Sequence, residues 1–381
     1  MVSPHDILYH KIKKIHNNNG DTMSNIKRYN IFILLSTLAR NVVEVFSSVL
    51  LYKMGYSLKE ILLFFTILYL TGAITSIISI YLIKIIKPKY ILIVSSIIFS
   101  GSFYYMSIMD KTFTNLIIFS IIYGLGAYTY HTIRHYYAIK SINNHERKEI
   151  GSILIYTNIA IVLSSVIGTY VEAKLSKLIL AIIVIIISVL AVIPIFKYED
   201  KTNNNKIKID KIEKNKLLFF ICEQAKVINL SLQPLYLYLF INNTISYVGI
   251  FNIIMGISSC IFIYFFVRKV DDKKYFKYLN ILFCIILILK LNISNKYLVL
   301  IIALFEGLGI KIFEIVSSEN IYSIKEDTNI KGYLLIVEII FCMIRSIMCL
   351  IGYFINDIKI ILYLTIVLIF IISFIKRDNK V

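Results

Sequence analysis

The amino-acid sequence predicts an all-α integral membrane protein: twelve transmembrane helices in two six-helix bundles related by pseudo-two-fold symmetry. Three observations lead there. Long apolar runs recur along the 381 residues, basic charge collects in every second connection between them, and the second half of the chain repeats landmarks of the first. Composition agrees, with 58% hydrophobic residues, 17% charged residues and a mean hydropathy of +0.77, where a soluble chain carries about a quarter charged residues. Runs of roughly twenty apolar residues match a hydrocarbon core about 30 Å thick. Lipid offers the backbone no hydrogen bonds, so only helices or closed barrels can cross it, and these runs are too long and too evenly apolar for barrel strands.

Read from the apolar runs and their flanks, spans 1 to 6 fall near 29–52, 57–83, 90–109, 113–137, 151–171 and 178–196. Spans 7 to 12 fall near 217–241, 244–267, 277–291, 297–318, 332–355 and 358–375, the run 277–291 being short. Residues 1–28 form a polar cytoplasmic segment with no apolar h-region, unlike a cleaved signal peptide. Its Ser3-Pro4-His5-Asp6 start, followed by Ile7, Leu8, Ile12 and Ile15, suits a short surface helix or a disordered lead, and Met23 is an alternative initiator. With no Trp in the chain, Tyr must supply the interfacial aromatic belt, and Tyr29, Tyr52, Tyr81, Tyr137, Tyr198 and Tyr322 stand near span ends as that role requires.

Short cytoplasmic loops retain Lys and Arg, so the distribution of basic residues sets orientation. With the N-terminus inside, 28 of the 41 basic residues fall in inner segments and eight in outer ones, Lys290 and Lys296 among the latter. Five lie within spans: Arg40, Arg134, Lys226, Lys311 and Arg345. Both termini are therefore expected in the cytoplasm, with the chain in the cell membrane as a multi-pass protein. The net charge of +18 is topogenic and requires no nucleic-acid partner.

The loop 197–216, with seven lysines, divides the chain into a bundle at 29–196 and a bundle at 217–375, followed by a cytoplasmic tail at 376–381. Four landmarks recur in order at offsets of 183 to 186 residues. Ala39-Arg40 returns as Ala225-Lys226, and Lys87-Pro88-Lys89-Tyr90 returns as Asp272-Lys273-Lys274-Tyr275. Gly124-Leu125-Gly126 returns as Gly307-Leu308-Gly309, and Tyr137-Ala138-Ile139-Lys140 returns as Tyr322-Ser323-Ile324-Lys325. Matches at a near-constant offset make a parallel internal repeat.

Two six-helix halves joined by a charged cytoplasmic loop is a plan that resembles the major facilitator superfamily, over about 29–375. The stretch Glu146-Arg147-Lys148-Glu149-Ile150-Gly151, running on to Gly168, is similar to the family's acidic-Arg-x-x-x-Gly start of helix 5. The signature after helix 2 is reduced to Lys84, Lys87, Pro88 and Lys89, and Gly168-Thr169 stands where Gly-Pro often ends the helix 5 motif. The resemblance implies that helices 1, 4, 7 and 10 line a central cavity and that the chain is a transporter working by alternating access.

An ionisable side chain at mid-membrane costs at least a few kcal/mol, so it faces a cavity or a partner. Span 1 carries Arg40 and Glu44, span 4 His131, Arg134 and His135, and span 7 Glu223 and Lys226; span 10 carries Glu306, Lys311 and Glu314, and span 11 Glu338 and Arg345. Arg40 with Glu44, Glu223 with Lys226 and Lys311 with Glu314 are three or four residues apart, on one helical face, and can neutralise each other. These six residues are the expected substrate ligands, or else pairs that only make insertion tolerable. Arg40 and Lys226 occupy equivalent places and are expected to face each other across the pseudo-two-fold axis. Opposed cations resemble the arrangement in transporters of organic phosphates and other anions, whereas the adjacent carboxylates suit a zwitterionic or amine-bearing solute. Glu306, Glu44, Glu338 and His131 are the expected proton carriers. Glu306 leads, because its own helix supplies no cation within a turn and a lone buried carboxylate protonates readily; His131 and His135 could relay protons or simply be solvated.

The expected activity is secondary active transport of a small polar or charged solute across the lipid bilayer, as symport or antiport with protons as coupling ion. Proton-coupled efflux of amphiphilic compounds is the alternative, and a non-transporting sensor or intramembrane enzyme a more distant one. No G-x-x-x-x-G-K-[ST] run is present to hold ATP, and no cofactor is expected. Cys222, Cys260, Cys284, Cys342 and Cys349 lie inside apolar spans with no C-x-x-C spacing, which argues against disulfides and zinc alike.

Overall fold

The computed structural model describes residues 25–141, 146–174, 177–196, 207–209, 212–266, 272–322 and 329–375. The surface helix considered for the first residues, most of the loop 197–216 and the tail 376–381 lie outside the described residues. Span 1 comprises two helices, Asn25–Glu44 and Ser47–Lys53, and spans 2 to 6 are Leu58–Leu82, Pro88–Ile108, Phe113–Ser141, Glu146–Lys174 and Lys177–Phe196. Spans 7 to 12 are Lys214–Phe240, Ile245–Phe266, Asp272–Asn292, Lys296–Tyr322, Ile330–Ile355 and Ile358–Ile371, the last closed by a 3-10 turn at Ile372–Phe374.

Among the described residues, eight of these helices are long and apolar enough to cross a membrane by length and composition alone. Spans 7 and 10 miss that mark because polar and charged residues interrupt them, and span 12 with its closing turn covers only Ile358–Phe374. Packing makes them spans nonetheless, because each occupies the place of a first-half counterpart. Span 9 is also longer than its apolar run: the helix starts at Asp272, through the charged Lys273 and Lys274, and reaches 21 residues.

The repeat is visible in the packing. In the first half, span 1 packs on spans 5 and 6, span 2 on span 4, and span 3 on spans 4 and 6. In the second half, span 7 packs on spans 11 and 12, span 8 on span 10, and span 9 on spans 10 and 12. The halves meet chiefly through span 2 against span 11 and span 5 against span 8, which exchange under the same pseudo-two-fold operation. The glycine landmarks show why the pattern persists in sequence. A Cβ on Gly126 would lie 2.6 Å from the backbone nitrogen of Phe99, and one on Gly309 would strike the ring of Phe283. Each glycine thus lets span 4 or span 10 close on the helix before it.

Span 1 departs from the continuous helix expected at 29–52. Phe46 N–H donates to Val43 O, and Ser47 Oγ donates to Glu44 O at 2.9 Å, making a tight turn between the two helices. No Pro or Gly marks this break. Gly168 of span 5 sits against it: a Cβ there would lie 2.6 Å from Val42 O.

The tyrosine belt holds only in part. Tyr52 and Tyr81 are exposed, whereas Tyr29, Tyr137 and Tyr322 are buried inside the bundle. Tyr29 donates its hydroxyl to Arg134 O at 2.9 Å, so a tyrosine near a span end can serve packing between helices as readily as the interface. Tyr198 lies outside the described residues. All five cysteines are free; Cys260 is half-buried and the others are buried.

Candidate functional site

Arg40 reaches into the first half. Its guanidinium carbon lies 4.3 Å from the ring centre of Phe99 in span 3 and 4.4 Å from that of Tyr130 in span 4. Its Nη2 is 3.3 Å from His131 Nε2 and 3.5 Å from Glu44 Oε2. Arginine only donates, so His131 Nε2 must accept and the ring's proton sits on Nδ1. The predicted Arg40–Glu44 pair therefore forms, within a larger setting of aromatic rings and imidazole.

Lys226 has a matching environment in the second half. Its Nζ lies 5.0 Å from the ring centre of Phe313 and 3.7 Å from Glu314 Oε1, both in span 10. Phe313 and Glu314 follow Tyr130 and His131 at the offset of 183 that relates Gly124 to Gly307. Each half thus holds a cation of its first helix against an aromatic ring and an acceptor of its fourth. The contacts of Arg40 and Lys226 lie within their own halves, rather than joining the two cations to one shared group.

The second predicted pair is corrected. Lys226 takes Glu314, not Glu223, as its ion-pair partner. Glu314 also binds Lys311, as the three-residue spacing predicted, and so stands between two lysines. Glu223 instead accepts from Ser317 Oγ of span 10, while its Oε2 is buried without a hydrogen-bond partner. A lysine stem is long enough to cross to the next helix, which spacing on one helix does not reveal.

Glu306 is the larger correction. It is fully buried and 2.8 Å from Nζ of Lys290, a residue assigned from sequence to an outer segment and here 1% exposed within span 9. The absence of a cation within a turn on its own helix, which favoured Glu306 as a proton carrier, is offset by one on the neighbouring helix.

Between the halves stands Arg345 of span 11. Its Nε donates to Gln224 Oε1 of span 7 at 2.8 Å and its Nη1 to the Tyr128 hydroxyl of span 4 at 3.1 Å. The guanidinium also lies 5.8 Å from the ring centre of Tyr69 in span 2. Four spans from both halves thus converge on one cation whose direct partners are neutral. Farther along, His135 Nε2 of span 4 approaches Glu338 Oε1 of span 11 at 3.8 Å, and its ring meets that of Tyr322 at 5.7 Å. The acidic partner missing from the histidines' own helix is supplied by another. Arg134 is half-buried, its Nε without a hydrogen-bond partner. Arg345, a membrane charge in the sequence, stands outside the expected site, as do Gln224, Tyr128 and Lys290. A third arginine beyond the predicted pairs was the available signal. Among the described residues, no group of three or more His, Cys, Asp or Glu side chains could hold a metal ion.

Twelve spans in two equivalent halves, with Arg345 bonded to spans of both and His135 facing Glu338 across them, define a membrane transporter of the two-bundle type. The family model of the Major Facilitator Superfamily matches residues 30–375, and the chain belongs to that family. Two solved structures share the fold. The human organic anion transporter MFSD10 (TETRAN) aligns with a TM-score of 0.64 at 9% identity, covering 92% of this chain and 98% of that one. A variant of the nucleoside transporter NupG aligns with a TM-score of 0.64 at 12% identity, again covering 92% and 98%. No curated protein sequence matches the chain significantly.

Proposed function

We propose that this transporter moves a small polar solute bearing an anionic group by alternating access, coupled to protons. The observation that carries the reading is Arg345, a cation shared by both halves and bound to a neutral amide and a phenol rather than a carboxylate. A planar guanidinium matches a carboxylate or phosphate with two parallel hydrogen bonds. Arg134 adds positive charge on span 4, while Glu314 with Lys226 and Lys311, Glu223 and Glu44 flank the region with both signs. A solute carrying an amine beside its anionic group would use them. Of the two structural neighbours, one is named for organic anions and the other for nucleosides, and only the first of these solutes bears an anionic group.

Two sets of contacts support alternating access, one toward each end of the space between the halves. At one end, Tyr52 meets Tyr238 edge to face at 6.2 Å, and Ser48 Oγ donates to Ser231 O at 3.5 Å. At the end where span 1 begins, His135 meets Glu338 and Tyr322. Rocking of one half against the other requires one set to part while the other holds. Glu338 lies in such a set with an oxygen that accepts no hydrogen bond, and we assign it the coupling proton ahead of Glu306, with Glu44 and His131 as the remaining carriers.

The test is transport by purified protein in liposomes, against carboxylates, phosphate esters, amino acids, nucleosides and lipophilic cations. Counterflow of at least one anionic or zwitterionic class is expected. Glu338→Gln should abolish uphill accumulation under a proton gradient while exchange continues. Counterflow confined to lipophilic cations would replace this reading by amphiphile efflux, and normal uphill transport by Glu338→Gln would remove Glu338 from coupling.

We further infer from the 28-to-8 distribution of basic charge that both termini are cytoplasmic in the cell membrane. Single cysteines at Asn203 and Asn379, in a cysteine-free background, are expected to react only from the cytoplasmic side. Labelling of either by an impermeant reagent on intact cells would reverse the orientation.

A further inference from the structure

We propose that the first half contains a binding site for a single small inorganic anion of halide type, held by Arg40 and separate from the space between the halves. Arg40 lines a cavity with Ser36 of its own span, Ser95 and Ser96 of span 3, Tyr130 of span 4 and Ser188 of span 6. The cavity has room for a water-sized species. Arg40 is only 5% exposed, and its Nη1 has no hydrogen-bond partner although Nη2 is engaged by His131 and Glu44. A buried guanidinium N–H without an acceptor is a standing demand for one.

The hydroxyls can meet an anion. Ser188 Oγ already accepts from Ser100 Oγ at 2.9 Å, which leaves its own proton free to turn inward. Ser36 Oγ and the Tyr130 hydroxyl share one hydrogen bond at 2.7 Å, so one of their two protons remains to donate elsewhere, to Ile33 O at 3.4 Å or to the cavity. Ser95 and Ser96 both donate to Leu92 O, at 2.7 and 3.0 Å, and a hydroxyl rotor can leave one of these shared bonds for a stronger acceptor. No carboxylate is among the lining residues; Glu44 lies 3.5 Å from the opposite nitrogen Nη2 and is one-third exposed. Net donors, one cation and a water-sized space fit a spherical monovalent anion and exclude an organic solute. In the second half, Lys226 and Lys311 share Glu314, so the equivalent cation carries its own internal anion.

The probe is bromide against gluconate at equal ionic strength, read from the unfolding midpoint of purified protein without solute. A saturable rise in bromide is expected, on the order of a few degrees, with the same rise in chloride. Arg40→Gln should remove it. Ser188→Val, which deletes one donor and fills part of the cavity, should weaken bromide about tenfold and keeps the test usable should Arg40→Gln fail to fold. Equal midpoints in bromide and gluconate for the natural protein, or an undiminished rise in either variant, would overturn the site. Because the readout is anion binding rather than transport, it stands or falls apart from the solute reading.

Discussion

Replacing Arg345 by lysine is expected to weaken solute binding about tenfold, and replacing it by alanine a hundredfold or more. Lysine keeps the charge but loses the planar fork, so it cannot hold Gln224 and Tyr128 and still present two parallel donors to a carboxylate. Loss of one hydrogen bond to a charged group is worth roughly 1.5–3 kcal/mol, and alanine removes both donors together with the charge of this half-buried side chain. Alanine also strands Gln224 Oε1 and the Tyr128 hydroxyl, both of which take their bonds from this residue. The measurement is stabilisation of each variant by the solute found in the counterflow screen, beside its melting without solute. Weakened binding with nearly unchanged melting in Arg345→Lys identifies a solute ligand. A large drop in melting with unchanged affinity would instead make Arg345 a strut between the halves and take it out of the binding site.

Much of the fold was legible because bilayer thickness and the absence of water impose a simple code on sequence: long apolar runs, basic residues on one side, and glycines where helices close. Gly126 and Gly309 recur because Phe99 and Phe283 leave no room for a side chain, so the repeat could be read from them before any helix was placed. The break after Glu44 was not legible, since it depends on span 5 pressing on Val42 and Phe46 and no local breaker marks it. The candidate site was legible only within single helices. Spacing found Arg40 with Glu44 and Lys311 with Glu314, because a helix fixes which residues share a face. It could not find Lys226 with Glu314, His135 with Glu338 or Lys290 with Glu306, each of which depends on which helices are neighbours. Lys290 misled for a further reason. It stands near the end of an apolar run, where a lysine ordinarily reaches for the interface, yet its ammonium turns inward to a carboxylate.

That inward turn leads to the second large effect. Lys290→Met alone should leave Glu306 without its ion-pair partner in a site where it is fully buried, at a cost of about 3–5 kcal/mol, lowering the unfolding midpoint of purified protein by about 5 °C. Combining Lys290→Met with Glu306→Gln should restore most of that loss, because replacing both members of a buried pair is often neutral or stabilising. The first half shows that an apolar solution fits. At offsets of 184 and 183, Lys290 and Glu306 correspond to Met106 and Tyr123. Met106 is buried, and Tyr123 packs among the rings of Phe64, Phe99, Phe103 and Phe119. Uphill transport by the double variant then separates the two roles open to Glu306. A protein that melts normally and still accumulates solute shows that the pair only ties span 9 to span 10. Normal melting with accumulation abolished and exchange intact would return the coupling proton to Glu306 and withdraw it from Glu338.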